Sequence, residues 1–96
     1  MTNITLKQLR YFDALSRQGH FGRAAEICSI SQPALSVQFR DLESELGEKL
    51  FVRGARHVRL TGLGEPFSHR VSDRLKAVDD LGDLARAAKN QLVGRL

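Results

Sequence analysis

The sequence predicts a mainly α-helical fold in which three short helices, a two-stranded hairpin and a long final helix follow one another. Apolar residues recur at steps of three and four along most of the chain, which is the spacing of one face of an α-helix. Capping residues, prolines and glycines interrupt these runs at points where helices would begin or end. Before the last helical run, two short apolar segments flank a glycine, as in a hairpin.

Length and composition restrict the function. The chain has 96 residues, of which 42% are hydrophobic and 27% charged, which fits one folded domain and excludes a fully disordered chain. No apolar stretch approaches the roughly 18 residues of a membrane span, and the N-terminus lacks the charged and apolar regions of a signal peptide. The single cysteine, Cys28, excludes an internal disulfide framework, so we expect a protein of the reducing cytoplasm.

Local signals place the first two helices. Thr5 can cap a helix that begins at Leu6 and carries apolar residues at steps of three, and Gly19 can end it. A shorter helix is predicted over residues 21–28. Its small apolar side consists of Ala24, Ala25 and Ile27.

The third helix has the clearest start signal in the chain. Ser31 is a good N-cap, and Pro33 lies in the first turn, where its missing N–H costs nothing. Gly47 can end the helix. One stripe is expected to face the core at spacings of four, three and four, and it consists of Leu35, Phe39, Leu42 and Leu46.

Residues 50–60 (the wing) are predicted to form two short strands around a glycine-containing turn. A hairpin of this size is marginal alone, so it must pack on the helices. Residues 49–60 contain no acid, whereas the net charge of the whole chain is only +4. Such a local basic patch indicates a partner with phosphates. Its basic residues are Lys49, Arg53, Arg56, His57 and Arg59.

The last helix is predicted from about residue 63 to residue 92, a length of roughly 45 Å. Its apolar stripe is too long to be buried on so small a domain, and alternating steps of three and four are typical of a coiled-coil seam. We therefore expect a second copy to cover the stripe in antiparallel arrangement; the alternative is a helix that folds back on its own domain. The predicted dimer contacts are Phe67, Val71, Leu75, Val78, Leu81, Ala85 and Ala88.

The order of these elements predicts a winged helix-turn-helix DNA-binding domain over residues 1–61, followed by a dimerising linker helix over residues 62–96. In a helix-turn-helix, the N-terminal half of the second helix reaches base edges in the major groove of DNA. The face of the third helix opposite its apolar stripe is free for this role. Its candidate DNA contacts are Ser31, Gln32, Pro33, Ala34, Ser36, Val37 and Arg40.

Several of these residue types have a chemical role at DNA. Gln32 can pair with adenine or another base edge, and Arg40 can bond to guanine or to a phosphate. Ser31 and Ser36 can donate hydrogen bonds to phosphates. Val37 can pack on a thymine methyl group, although a stray exposed apolar residue is the plainer interpretation.

The wing adds a second candidate contact. Arg56 at its tip can enter a narrow, A·T-rich minor groove, where the negative potential is enhanced. Lys49, Arg53 and Arg59 can bond to phosphates. The alternative is a solvated hairpin whose charges keep its edges from pairing with other chains.

Three segments resemble the N-terminal DNA-binding domain of LysR-type transcriptional regulators. They are F-G-R-A-A-E at residues 21–26, S-Q-P-A-L-S-V-Q-F-R-D-L-E at residues 31–43 and R-L-T-G-L-G at residues 59–64. The resemblance implies recognition of pseudo-palindromic promoter sites in double-stranded DNA by a homodimer on the nucleoid. For the full-length parent it implies a tetramer, RNA polymerase as a partner, and a C-terminal effector-sensing domain that is absent from these residues.

The sequence departs from the family pattern at two positions. Val37 stands where many members carry arginine, which puts a guanine contact from that position in doubt, and Phe39 stands where isoleucine is common. Residues 55–58 and 80–85 are most similar to the hydrogen-peroxide-sensing (OxyR-like) branch, which implies regulation of oxidative-stress genes. The redox cysteines of that branch lie in the sensor domain, so we expect Cys28 to be a small buried hydrophobe.

Two other function classes compete with DNA binding. A helical dimerisation adaptor that happens to be basic would show no salt-dependent DNA binding. An enzyme is disfavoured because the chain has neither a G-x-S-x-G elbow nor a P-loop, and because its histidines lack metal-binding spacing. We therefore expect no catalytic residue, cofactor or metal. The three histidines are His20, His57 and His69.

Overall fold

The computed structural model of the chain describes residues 3–54 and 57–94. The described part confirms the predicted class, since it is mainly α-helical and contains a two-stranded antiparallel sheet. A three-residue connection, residues 29–31, separates the second and third helices, as in a helix-turn-helix. The elements are α1 (Leu6–Gln18), α2 (Phe21–Cys28), α3 (Gln32–Leu46), β1 (Phe51–Arg53), β2 (Val58–Leu60) and α4 (Gly64–Gly94).

The ends of α1 and α3 lie where the capping residues predict. The hydroxyls of Thr5 and Ser31 each accept a hydrogen bond from the backbone N–H three residues on, at 3.1 and 3.2 Å. Gly19 and Gly47 end the same two helices in the left-handed conformation, with φ of 64° and 75°. Glycine adopts that conformation without the steric cost of a Cβ, so both helices end sharply.

The five phenylalanines of the chain form one cluster at the centre of the fold. Phe12 of α1 is fully buried, and its ring centroid lies 5.1 Å from that of Phe67 and 5.2 Å from that of Phe51. The ring of Phe39 in α3 lies 5.4 Å from that of Phe51 and 5.9 Å from that of Phe21. Because aromatic pairs add favourable ring geometry to the burial of apolar area, this cluster joins the four helices and the wing into one core.

The wing depends on the helices for its position, because each strand has only three residues. Phe51 pairs with Leu60 and Arg53 with Val58 in the antiparallel register. The backbone N–H of Val58 also donates a hydrogen bond to the carbonyl of Gly19, at the end of α1, at 3.0 Å. This bond and the ring of Phe51 hold the hairpin against the helices.

Helix α4 has two different environments along its length. Val71 and Leu75 are buried, and Phe67 is half-buried in the aromatic cluster. Farther along, Leu81 and Leu84 are each 67% exposed, because this part of α4 extends beyond the other helices. The molecule is accordingly elongated and measures 58 × 30 × 19 Å. Although α4 has 31 residues, no helix among the described residues is both long and apolar enough to cross a membrane.

The prediction that one continuous stripe of α4 faces a second copy is wrong for its first part. Phe67, Val71 and Leu75 belong to the core of their own chain, because the first turns of α4 lie against α1. This part of the helix follows the alternative of folding back on the domain. Val78 is half-buried. The exposed members of the stripe, which remain candidates for contact with a second copy, are Leu81, Ala85 and Ala88.

Ile27 also departs from the prediction. It was expected on the apolar side of α2 but is 59% exposed. The neighbouring helices α1 and α3 cover the side that carries Ala24 and Ala25, which are buried, and Ile27 lies outside the area that they cover. Ile27 instead lies at an open groove beside α1.

Candidate nucleic-acid interface

Helix α3 buries one side and exposes the other. Leu35, Phe39 and Leu42 are buried and fix the orientation of the helix. Ser36 is half-buried at the edge of the opposite side. The exposed residues of that side, the outward face of α3, are Gln32, Pro33, Ala34, Val37 and Arg40.

Val37 gives the outward face of α3 an apolar centre. Its exposure is 47%, and it lies between Pro33 and Arg40 at helical steps of four and three. Gln32, five residues before Val37, lies at the flank of this face, so polar side chains lie beside an apolar contact. A base edge in the major groove presents the same mixture when it includes a thymine methyl group.

The N-terminal end of α3 offers hydrogen-bond donors. The Ser31 hydroxyl accepts from the backbone N–H of Ala34 at 3.2 Å, which leaves its own proton free to donate. The first N–H groups of any helix lack partners within it, and the helix dipole favours an anion at that end. This end of α3 can therefore bind a phosphate next to the outward face.

The two wing arginines that the structure describes lie on opposite faces of the hairpin, because side chains alternate along a strand. The guanidinium carbon of Arg53 lies 4.7 Å from the ring centroid of Phe21, in a cation–π contact that directs it toward α2. Arg59 lies on the other face, with Val52 opposite it. Both arginines are exposed. The sequence suggested the same role for both, but the structure gives them different directions.

A cleft of about 470 Å³ opens between the start of α2, the start of α3 and the wing. Gln32 and Arg53 both line it, so the fold brings together two predicted contact residues that are distant in sequence. His20 and His57 line it too, and neither was among the predicted contacts. His57 was visible in the basic patch, whereas His20 is concealed by its structural role: its Nδ1 accepts the backbone N–H of Arg23 at 3.2 Å as the N-cap of α2.

Two further predicted basic contacts are placed differently. Arg56, predicted at the tip of the wing, lies outside the described residues. Lys49 is largely exposed, but its Nζ lies 3.8 Å from a carboxylate oxygen of Glu43. Part of its charge is therefore compensated within the chain.

Cys28 is half-buried and packs against the core. Burial raises the pKa of its thiol, because a thiolate loses hydration there. This environment is that of a small hydrophobe and disfavours the reactive thiolate. In the part of the chain that the structure describes, no three histidine, cysteine or acidic side chains lie close enough together to hold a metal ion.

A protein-family model described as bacterial regulatory helix-turn-helix protein, lysR family, matches residues 6–65. The chain belongs to the LysR family. The matched segment of this LysR-family chain runs from the start of α1 to the start of α4 and includes the helix-turn-helix and the wing.

Curated relatives of this LysR-family chain are transcriptional regulators. The HTH-type transcriptional regulator IlvR of Caulobacter vibrioides is 45% identical over 93 residues, which cover 97% of this chain and 31% of IlvR. The uncharacterized HTH-type transcriptional regulator YnfL of Escherichia coli K12 is 42% identical over 94 residues, which cover 98% of this chain and 32% of YnfL. The chain thus spans about a third of the length of these relatives.

Solved structures share the fold of this LysR-family chain. Full-length OxyR of Pseudomonas aeruginosa, in a variant form, matches with a TM-score of 0.87 and 46% identity over 94% of this chain and 30% of that one. The DNA-binding domain of CbnR in its DNA complex matches with a TM-score of 0.81 and 34% identity over 88% of this chain and 98% of that one. The DNA-binding domain of BenM with benA site 1 DNA gives 0.82 and 37% over 86% and 93%.

Proposed function

We propose that this chain is the DNA-binding part of a LysR-family transcriptional regulator and binds double-stranded DNA sequence-specifically at pseudo-palindromic promoter sites. One observation carries the proposal: the exposed outward face of α3 lies beside the basic wing, since Gln32 and Arg53 line one cleft. The similarity to the CbnR and BenM domains supports it, because those structures are DNA complexes.

In this proposal, α3 enters the major groove with its N-terminal half. Gln32 pairs with a base edge, Arg40 bonds to guanine or a phosphate, and Val37 packs on a thymine methyl group. A good side-chain pair with a base is worth about 1–3 kcal/mol of discrimination against the wrong base. The buried side of α3 keeps these side chains in register, so the base contacts are made by a rigid element.

The wing and the start of α3 contact the DNA backbone. Arg53 and Arg59 leave opposite faces of the hairpin and reach phosphates on either side of it. Ser31 and Ser36 donate to phosphates near the start of the helix, and we retain Arg56 as a minor-groove contact on the basis of the sequence. Because each neutralised phosphate releases counterions, binding should weaken steeply as salt increases.

The second half of α4 is the proposed dimer contact. Leu81, Leu84, Ala85 and Ala88 are exposed on this half, beyond the part that packs on α1. Two such helices in antiparallel arrangement would cover one another's apolar residues. The resulting two-fold symmetry would present two α3 helices to two symmetric half-sites.

The remaining proposals concern a longer parent protein. The family resemblance implies a tetramer that acts with RNA polymerase on the nucleoid of the cytoplasm. The match to OxyR supports oxidative-stress genes as targets, but the identity to IlvR is nearly the same, at 45% against 46%. Identification of the genes beside the preferred operator would test the oxidative-stress assignment.

Selection from a random pool of labelled duplexes tests the proposal. The expected product is an inverted repeat (the selected duplex) that binds more tightly than its scrambled version at two salt concentrations, as measured by fluorescence anisotropy. Gln32→Ala should weaken binding to the selected duplex more than binding to the scrambled one. Asn90→Ala removes an amide side chain at an exposed position of α4, on the side opposite Leu81, and should alter neither.

The contrary outcomes are equally clear. If selection enriches no sequence, and the chain binds all duplexes equally and only at low salt, then the chain has a basic surface but does not recognise a sequence. A folded dimer that binds no duplex at low salt would refute DNA binding and favour the dimerisation adaptor.

A further inference from the structure

Glu43 occupies an unusual environment for a carboxylate on α3. Its side chain is only 14% exposed. One oxygen, Oε2, accepts the backbone N–H of Leu50 at 2.7 Å and that of Phe51 at 3.3 Å. The other oxygen, Oε1, lies 3.8 Å from Nζ of Lys49. The carboxylate thus contacts three consecutive residues at the point where the wing begins.

These contacts connect α3 to the wing. Leu50 is fully buried, and Phe51 is the first residue of β1 and a member of the aromatic cluster. Hydrogen bonds to an ionised acceptor are stronger than those between neutral groups, whereas a three-residue hairpin has little stability of its own. Glu43 therefore acts together with the contact between Phe39 and Phe51 to fix the position of β1 relative to α3.

We propose that Glu43 is a positioning residue for DNA binding, which holds the wing at a fixed distance from α3. Arg53 and Arg59 then reach phosphates while the outward face of α3 lies in the major groove. This inference rests on the proposed function, in which the wing contacts phosphates. Since the phosphates of a duplex have fixed positions relative to its grooves, a displaced wing loses its contacts even when α3 still reads the bases.

The charge of Glu43 distinguishes positioning from simple electrostatics. A negative charge near DNA repels phosphates, so its removal alone should strengthen binding, most strongly at low salt. Loss of the wing's position should weaken binding. Glu45 is the matched control, because it lies on the same helix and its Oε1 accepts the backbone N–H of Asn3 at 2.7 Å instead of contacting the wing.

The test measures the Kd for the selected duplex by fluorescence anisotropy over a range of salt concentrations. Each phosphate contact contributes about 0.9 to the slope of log K against log salt. Glu43→Ala should bind roughly three- to tenfold more weakly and lose about 0.9 to 1.8 of slope per protomer, like the double variant Arg53→Ala/Arg59→Ala. Glu45→Ala should keep the full slope and bind at least as tightly as the unchanged chain.

Two conservative variants separate positioning from stability. Glu43→Gln keeps an oxygen that can accept the N–H groups of Leu50 and Phe51, so it should retain the slope. Glu43→Asp keeps the charge, but its side chain is one methylene shorter and cannot reach the wing as well. It should therefore lower the slope of log K against log salt and speed hydrogen exchange of the amides of Leu50 and Phe51. A purely structural role would lower the folded fraction without changing the slope. If Glu43→Ala fails to fold, the salt slopes of Glu43→Gln and Glu43→Asp test the proposal instead: a full slope in the first and a reduced slope in the second support positioning, and equal slopes refute it.

The two claims fail separately. If the double arginine variant loses slope while Glu43→Ala and Glu43→Asp keep it, Glu43 does not position the wing and the proposed function stands. If the double arginine variant keeps the full slope, the wing does not contact phosphates, and the role of Glu43 falls with that part of the proposed function.

Discussion

Gly64 is the first residue of α4, and its replacement by alanine should disturb the packing between the wing and α4. An added Cβ would lie closer than 3.0 Å to the carbonyl oxygen of Leu50 and 3.1 Å from Cδ2 of Leu60. The Leu50 carbonyl is held in place, because it accepts the backbone N–H of Thr61 at 2.9 Å and the Leu50 side chain is fully buried. Gly64→Ala must therefore move the start of α4 away from the wing.

The expected loss in the free energy of unfolding depends on the rigidity of the Leu50 carbonyl. Overpacking costs about 1–3 kcal/mol, and a backbone oxygen in the core places Gly64→Ala at the upper end of this range. The better helix propensity of alanine offsets up to about 1 kcal/mol. The net loss in the free energy of unfolding is about 2 kcal/mol, which lowers the Tm of a domain of this size by roughly 8–16 °C.

Gly62→Ala is the matched control for this change. A Cβ at Gly62 would meet nothing within 4 Å, so we expect no loss of stability and a gain of up to about 1 kcal/mol from a less flexible unfolded chain. Thermal unfolding followed by circular dichroism measures both variants at one protein concentration, because dimerisation makes Tm concentration-dependent. Equal Tm values for Gly64→Ala and Gly62→Ala would refute the reasoning.

Three further outcomes are expected. Val37→Ala should weaken binding to the selected duplex roughly three- to tenfold. It should also abolish the loss of affinity that follows when a contacted thymine is replaced by uracil, which lacks the methyl group, whereas Val52→Ala should preserve that loss. If the Val37→Ala and Val52→Ala variants lost the same affinity on this replacement, a contact between Val37 and the methyl group would be excluded. Leu81→Glu should raise the Kd of dimerisation about tenfold in sedimentation experiments, and Asn90→Glu, nine residues farther on and therefore on the opposite side of α4, should leave it unchanged. Because burial raises the pKa of the Cys28 thiol, less thiolate is present at a given pH, so alkylation of the folded chain should require a higher pH than alkylation of the urea-unfolded chain; identical pH profiles would contradict this.

Short-range signals in the sequence predicted the helix ends well. Thr5, Ser31, Gly19 and Gly47 act on backbone groups three or four residues away, so their effect does not depend on the rest of the fold. The helices and strands accordingly lie within about two residues of their predicted bounds. The exposed face of α3 followed from the same local pattern, because the buried stripe determines the opposite side.

Long-range contacts could not be predicted in the same way. Apolar periodicity identifies which face of a helix is buried but not what covers it, so Val71 and Leu75 fitted a second copy as well as their own α1. The contact between Arg53 and Phe21 arises only when the wing folds back on α2. Glu43 likewise resembles any other carboxylate on a helix until the wing brings its N–H groups to it.

Disulfide cross-linking between residue 37 and the major groove tests the central claim most directly. Val37→Cys in a Cys28→Ala background is mixed with the selected duplex, which carries an activated disulfide tethered to the major-groove edge of one base at a time. The account predicts cross-links at a few adjacent positions of each half-site, and none from Ala87→Cys in the same background. Cross-linking from residue 37 at no position, or equally from residues 37 and 87, would contradict the account.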